Sequence, residues 1–196
     1  MTLAELIAEV YTLTNRPDLV AETLTAVRSA TLKLHHSDFY YKDLFETGID
    51  FVTAEFIQDF EYRSFIPRWR QLKWTRIWDN TSGIAGKFFE PVAPENVLDD
   101  YKLAREDICY VAGAILHIRS STTFQHILLS CYLHPDITES TYDSWIALDH
   151  PYAIVYDAAA TVFKMIGKAD EAAMYRQLVA EQIAELRISG IENIGR

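Results

Sequence analysis

Cysteine is scarce in this chain of 196 residues: Cys109 and Cys131 are too few for a disulfide framework, and no pair of C-x-x-C motifs offers a structural zinc site. Reducing surroundings are therefore expected. Basic residues are short as well, with 18 Lys and Arg against 28 Asp and Glu and a formal net charge of −10. That balance argues against broad wrapping of nucleic acid, which needs cations to displace the counterions of the phosphates. It is compatible with an acidic wall past which nucleic acid slides. No apolar run approaches the length that spans a bilayer, so no membrane partner is expected. The start, Met1-Thr2-Leu3-Ala4-Glu5, lacks the basic and apolar run of a signal peptide, and a soluble protein used inside a cell is the expectation. Neither a Gly-rich phosphate loop nor a G-x-S-x-G elbow occurs, and the hydroxyl run Ser120-Ser121-Thr122-Thr123 does not replace one. Internal repeats and low-complexity segments are also missing.

What is present is ordinary for a folded chain, 49% hydrophobic and 23% charged, with aromatic residues at 13% leaning towards strands and interfaces. Thr2-Leu3-Ala4-Glu5 reads as a capping box opening a helix to about Leu13, with Leu3, Leu6, Ile7, Val10 and Leu13 on one stripe. A second, central helix follows within Asn15–Lys42. Pro17 fits its first turn, Asp18 and Glu22 its positive end, and Val20, Leu24, Val27, Ala30, Thr31 and Leu34 its buried face. After Ser37 the period becomes alternating and the composition aromatic.

Phe56, Phe60 and Tyr62 on one side, with Asp59, Glu61 and Arg63 on the other, predict a half-buried strand. Trp69–Trp78 predicts another, closed by the turn Asp79–Gly83. Pro94–Tyr101 reads as a brief helix, Ile108–Val111 and Ala114–Arg119 as a tight hairpin at Ala112-Gly113, and Gln125–Leu133 as a last strand. Helical signals return with Tyr142–Leu148, with a longer helix from Pro151 to Gly167, and with one from about Ala169 to Leu186. The expected fold class is thus α+β, mainly α. Residues 1–45 and 135–188 would form a bundle of N- and C-terminal helices, residues 46–134 an antiparallel β-rich insertion projecting from it, and residues 189–196 a C-terminal arm.

Several groups could carry chemistry. His35-His36 with Asp38 suits a helix end better than a metal, since adjacent side chains on a helix diverge. His117, His126 and His134 read as polar-face residues. The pairs Asp99-Asp100 and Asp59/Glu61 read as a solvated face rather than an acid and base. No metal or cofactor is expected. The stretch Arg68-Trp69-Arg70-Gln71-Leu72-Lys73-Trp74-Thr75-Arg76-Ile77-Trp78 interleaves cations and aromatics, which suits either a single-strand nucleic-acid groove or a protein interface. The acidic remainder favours the interface, centred on Trp69, Arg70, Trp74, Arg76 and Trp78, over the groove, and a plain Trp-rich core with arginines at its rim fits the same pattern equally well. In the tail, Ile188, Ile191 and Ile194 mark either a frayed end or an arm that orders on a partner.

Three motifs give the chain a resemblance: Thr14-Asn15-Arg16-Pro17-Asp18-Leu19 before the long helix, His134-Pro135-Asp136 followed by Ser144-Trp145-Ile146-Ala147, and His150-Pro151-Tyr152 paired with Gly167-Lys168-Ala169-Asp170. In these, and in organisation over most of its length, it resembles the head-to-tail adaptor, or head-completion, proteins of tailed bacteriophages. Its aromatic β insertion departs from the smallest of them, which are nearly all helical. The resemblance implies a non-enzymatic virion protein at the head–tail interface, assembled in the host cytoplasm as a twelvefold homo-oligomeric ring. Its partners would be the portal protein on one side and tail or nozzle proteins on the other, with genomic DNA passing through the channel without specific binding. It also implies that the arm, with Ile188, Ile191, Ile194 and Arg196, docks on the portal. A glycan- or small-molecule-binding module or enzyme, using the aromatic β region near Trp69, Trp74 and Trp78, is the alternative.

Overall fold

A computed structural model describes residues 1–78, 85–98 and 103–191. In chain order the elements are α1 (Leu3–Thr14), α2 (Val20–His35), β1 (Leu44–Glu61), α3 (Tyr62–Phe65), β2 (Trp69–Trp78), β3 (Ala85–Phe88), β4 (Glu90–Pro91), β5 (Ile108–Ala112), β6 (Ile115–Leu133), α4 (Trp145–Asp149), α5 (Pro151–Met165) and α6 (Ala169–Ile191). They divide into a helical unit, Met1–Asp43 with the chain from His134 onward, and a β unit, Leu44–Leu133.

Roughly 44% of the described residues are helical and 34% lie in strands, and the strands form a nearly closed, barrel-like mixed sheet. The expectation of a mainly α protein with an antiparallel insertion is therefore wrong. Two features hid the strand content. β1 begins at Leu44, well before the aromatic alternation becomes strong, and β6 stays extended through the hydroxyl run Ser120–Thr123, where the apolar pattern breaks off and the pairing with β1 shifts register. The sheet is mixed because β4 pairs β5 in parallel.

In the helical unit the capping box forms: Thr2 Oγ1 accepts from the Glu5 N–H, and the Glu5 carboxylate accepts from the Thr2 N–H at 2.8 Å. α1 stops at Asn15, whose φ of 52° is left-handed. Arg16 then grips Asp18 with two hydrogen bonds of 2.8 and 2.7 Å, so the Asp18 carboxylate serves the link and not the helix dipole. α2 accordingly starts at Val20. Pro17 lies before it, and Val20, expected on the buried stripe, is 61% exposed. Further along, Val27, Ala30, Thr31 and Leu34 are buried. The helix that packs against most others is α5, which meets α1, α2, α4 and α6 through buried Ile154, Val155, Ala158, Ala159 and Val162. Its small residues let the neighbouring helices come close, and Gly167, at φ 79°, ends the turn that leads to α6. α6 continues past Leu186 to Ile191.

β6 is the spine of the β unit. One edge carries β1, from Leu44↔Tyr132 to Glu61↔Ile115. The other carries β2 along its second half, from Trp69↔Leu133 to Ile77↔Ile127, and β5 along its first, from Ile108↔Arg119 to Ala112↔Ile115. The β5–β6 hairpin turns at Gly113, with φ 63°. β3 lies antiparallel on β2, and Gly86 suits the close approach there: a Cβ would stand 3.0 Å from that of Ile77, a tight contact. Phe89 alone separates β3 from β4; its side chain is buried, and its N–H donates to the Thr75 carbonyl at 3.0 Å. The order β3-β2-β6-β5-β4 therefore turns back on itself around a core of Phe89, Cys109, Leu116, Ile118, Phe124, Ile127, Leu129 and Cys131.

Candidate functional site

The interleaved stretch becomes β2, and pairing with β6 half-buries its aromatic residues instead of leaving them free. Trp69 stacks on Tyr62, ring centroids 4.5 Å apart, and the Tyr62 hydroxyl donates to the Gly113 carbonyl at 2.9 Å. Trp74 meets Phe88 edge to face at 5.7 Å, and the Arg76 guanidinium lies 5.1 Å from the Trp74 ring and 5.2 Å from that of Phe88. Such contacts fix both the rings and the cation. Trp78 pairs with Ala85 at the end of the strand. Thus Trp74, Arg76 and Trp78 sit on the β3 side, whereas Trp69 and Arg70 belong to a different feature.

That feature is a cavity of about 560 Å³. β3 covers β2 only around Arg76 and Trp78, so the first half of β2 faces an opening towards Pro91, Cys109 and Val111. Its walls include the Tyr62–Trp69 stack, Leu72 and Tyr110. Among the described residues that line it, Arg63 and Arg70 are the charged ones, and both are basic. The volume falls in the range of small-ligand pockets, and the chemistry fits an apolar group with an anionic neighbour. The sequence pattern placed Arg63 on the polar side of a strand and gave neither it nor Pro67 a role at a site; instead Arg63 lies on the short helix α3, which with Pro67 leads into β2 and Arg70.

On the opposite edge of β6, β1 makes a corner. Between Asp50↔His126 and Glu55↔Phe124 the chain inserts extra residues. Gln125 Nε2 donates to the Phe51 carbonyl at 3.1 Å, and Gln58 Nε2 to the Thr53 carbonyl at 2.7 Å, so the corner is held in shape. It presents Val52, 95% exposed, then Phe56 and Ile57 at 55% and 52%. Glu55 accepts from the Thr53 hydroxyl at 2.8 Å. The charged residues of β1 are all acidic: Glu46, Asp50, Glu55, Asp59 and Glu61, with no Lys or Arg.

The histidines do not converge. His117 pairs with Asp59 and His126 with Asp50, both at 2.6 Å across the β1–β6 ladder, and His134 meets His36 at 2.9 Å. Glu61 caps α3 by accepting from the Ser64 N–H, which separates it from Asp59 in role. Asp99 and Asp100 lie outside the described residues, as do the turn Asp79–Gly83 and Tyr101. Among the described residues no group of three or more His, Cys, Asp or Glu side chains is placed to hold a metal ion. Cys109 and Cys131 are buried in the β core, and burial pushes both thiols up to about 12.

One buried polar chain in the helical unit escaped the sequence reading. Asp43 accepts from Trp145 Nε1 at 2.7 Å and meets His35 Nδ1 at 2.8 Å, and His35 Nε2 meets Ser144 Oγ at 2.9 Å. The order is that of an acid, a base and a nucleophile. Yet Ser144 Oγ also accepts the Ala147 N–H as the cap of α4, and although the residue borders a cavity of about 330 Å³ beside Thr2 and Glu5, it is only 4% exposed. This arrangement ties the end of α2 to the start of α4.

Of the arm residues, Ile188 is on α6 and 58% exposed, Ile191 is the last helical residue, and Ile194 and Arg196 lie outside the described residues. Compared with known families and with curated proteins, the chain matches no family and no curated protein.

Proposed function

We propose that this chain is a structural head-to-tail adaptor of a tailed-bacteriophage virion. It forms a twelvefold ring between the portal protein and tail or nozzle proteins, around a channel through which genomic DNA passes without specific binding. The observation that carries this reading is the amount of large apolar surface left bare on ordered elements of both units. Val52, Phe56, Ile57 and Phe65 stand out from the β unit, and Leu148, Met165, Met174 and Ile188 from the helical unit. Apolar side chains gathered on regular backbone, as Val52, Phe56 and Ile57 are at the corner of β1, suit surfaces covered by protein. The net charge of −10 supports the channel part of the reading, because an acidic wall repels phosphate without holding it.

On this reading Ile188 and Ile191, at the end of α6, dock on the portal together with Ile194, and their burial there supplies the contact. Replacing Ile188, Ile191 and Ile194 together by Ser is expected to abolish co-sedimentation with the portal while leaving the thermal transition of the free protein in place. Unchanged co-sedimentation would remove the arm from the docking surface. A glycan- or small-molecule-binding module is the second reading, favoured by the cavity beside the Tyr62–Trp69 stack. Saturable quenching of tryptophan fluorescence by an oligosaccharide would support it.

A further inference from the structure

We infer that the corner of β1, Val52 to Ile57, inserts into the cavity between β2 and β5 of a second copy of this chain, and that this contact joins neighbours in the ring. The inference rests on the adaptor reading and names one contact within it. None of the corner residues Val52 to Ile57 is among those that line the cavity of the same chain. A contact between them would be made between molecules, head to tail, and such a contact repeats until rotation closes a ring.

Three observations fit these two surfaces to each other. The corner is apolar at its tip and pre-shaped by Gln58 and Gln125, so little entropy is lost on docking. The cavity walls are aromatic and aliphatic, and its volume of about 560 Å³ suits a group the size of a small ligand, such as the Val52 and Phe56 side chains. The charges are complementary: Glu55 lies between Val52 and Phe56 in sequence on a strand without cations, while the exposed Arg63 lines the cavity of a chain whose net charge is −10. The half of β2 that β3 leaves uncovered would be shielded by the incoming corner.

The test is charge exchange in the full chain. Sedimentation velocity up to millimolar concentration is expected to show concentration-dependent association of the native protein. Glu55→Arg and Arg63→Glu should each weaken it about tenfold, and an equimolar mixture of the two should restore it, since each corner then meets a complementary cavity. Val52→Ser, altering a residue 95% exposed, should weaken association with an unchanged circular dichroism spectrum. Variants that associate as the native chain does would place the ring contact elsewhere and overturn the inference, and so would a native chain that stays monomeric at millimolar concentration. Neither result touches portal binding, whose failure is what would overturn the adaptor reading.

Discussion

Cys109 and Cys131 show how a side chain's surroundings set its chemistry. With both thiols raised to about 12 by burial, the thiolate fraction at pH 8 is about one part in ten thousand. A colorimetric thiol reagent at that pH is expected to modify neither cysteine in the folded protein and both after unfolding. Rapid labelling of the native chain would contradict the packing of the β core. That these residues act as small apolar groups was legible from their place in strand-like runs. The partners of His117 and His126 were not: Asp59 and Asp50 come opposite them only through the β1–β6 register, and no spacing along the chain encodes that pairing. Ser144, His35 and Asp43 were hidden for the same reason, since α2 and α4 meet only through tertiary packing.

At the level of elements, Asp107 joins three strands. Its carboxylate pairs with Lys87 of β3 and accepts from the N–H and hydroxyl of Ser121 on β6, while its carbonyl accepts from the Glu90 N–H of β4 at 2.9 Å. Burial alone would raise its pKa, but the hydrogen bonds from Lys87 and Ser121 outweigh that and hold it below the usual carboxylate range. A depressed folded-state pKa means that this contribution is complete above the unfolded value and is lost as pH falls through the folded one. Asp107→Ala should therefore cost about 1–2 kcal/mol at pH 7 and flatten the acid side of the stability profile below about pH 4, as read from urea midpoints. A variant with native midpoints at neutral pH would contradict the three-strand junction. The helix signals, from the capping box of α1 to Pro151 and Gly167 around α5, were readable because caps and breakers act locally. The hairpin at Gly113 was readable on the same ground. The start of β1 and the continuity of β6 were not, because a strand's partner, and not its own composition, holds it extended.

For the molecule as a whole, sequence order suggested helices flanking a strand-rich middle, whereas the weight of that middle emerged only from pairing. A sheet of six strands that turns back on itself through Phe89 is a framework of its own, with its own core and its own exposed corner and cavity. On the adaptor reading proposed above, the bare apolar side chains of the β unit and those of the helical unit would each be covered by another protein. Light scattering of the purified protein mixed with candidate portal assemblies, with each component alone as control, reads that role directly. The adaptor reading requires a discrete complex whose added mass corresponds to a closed ring, twelve copies on a twelvefold portal. Portal masses that stay unchanged across the candidates would contradict it.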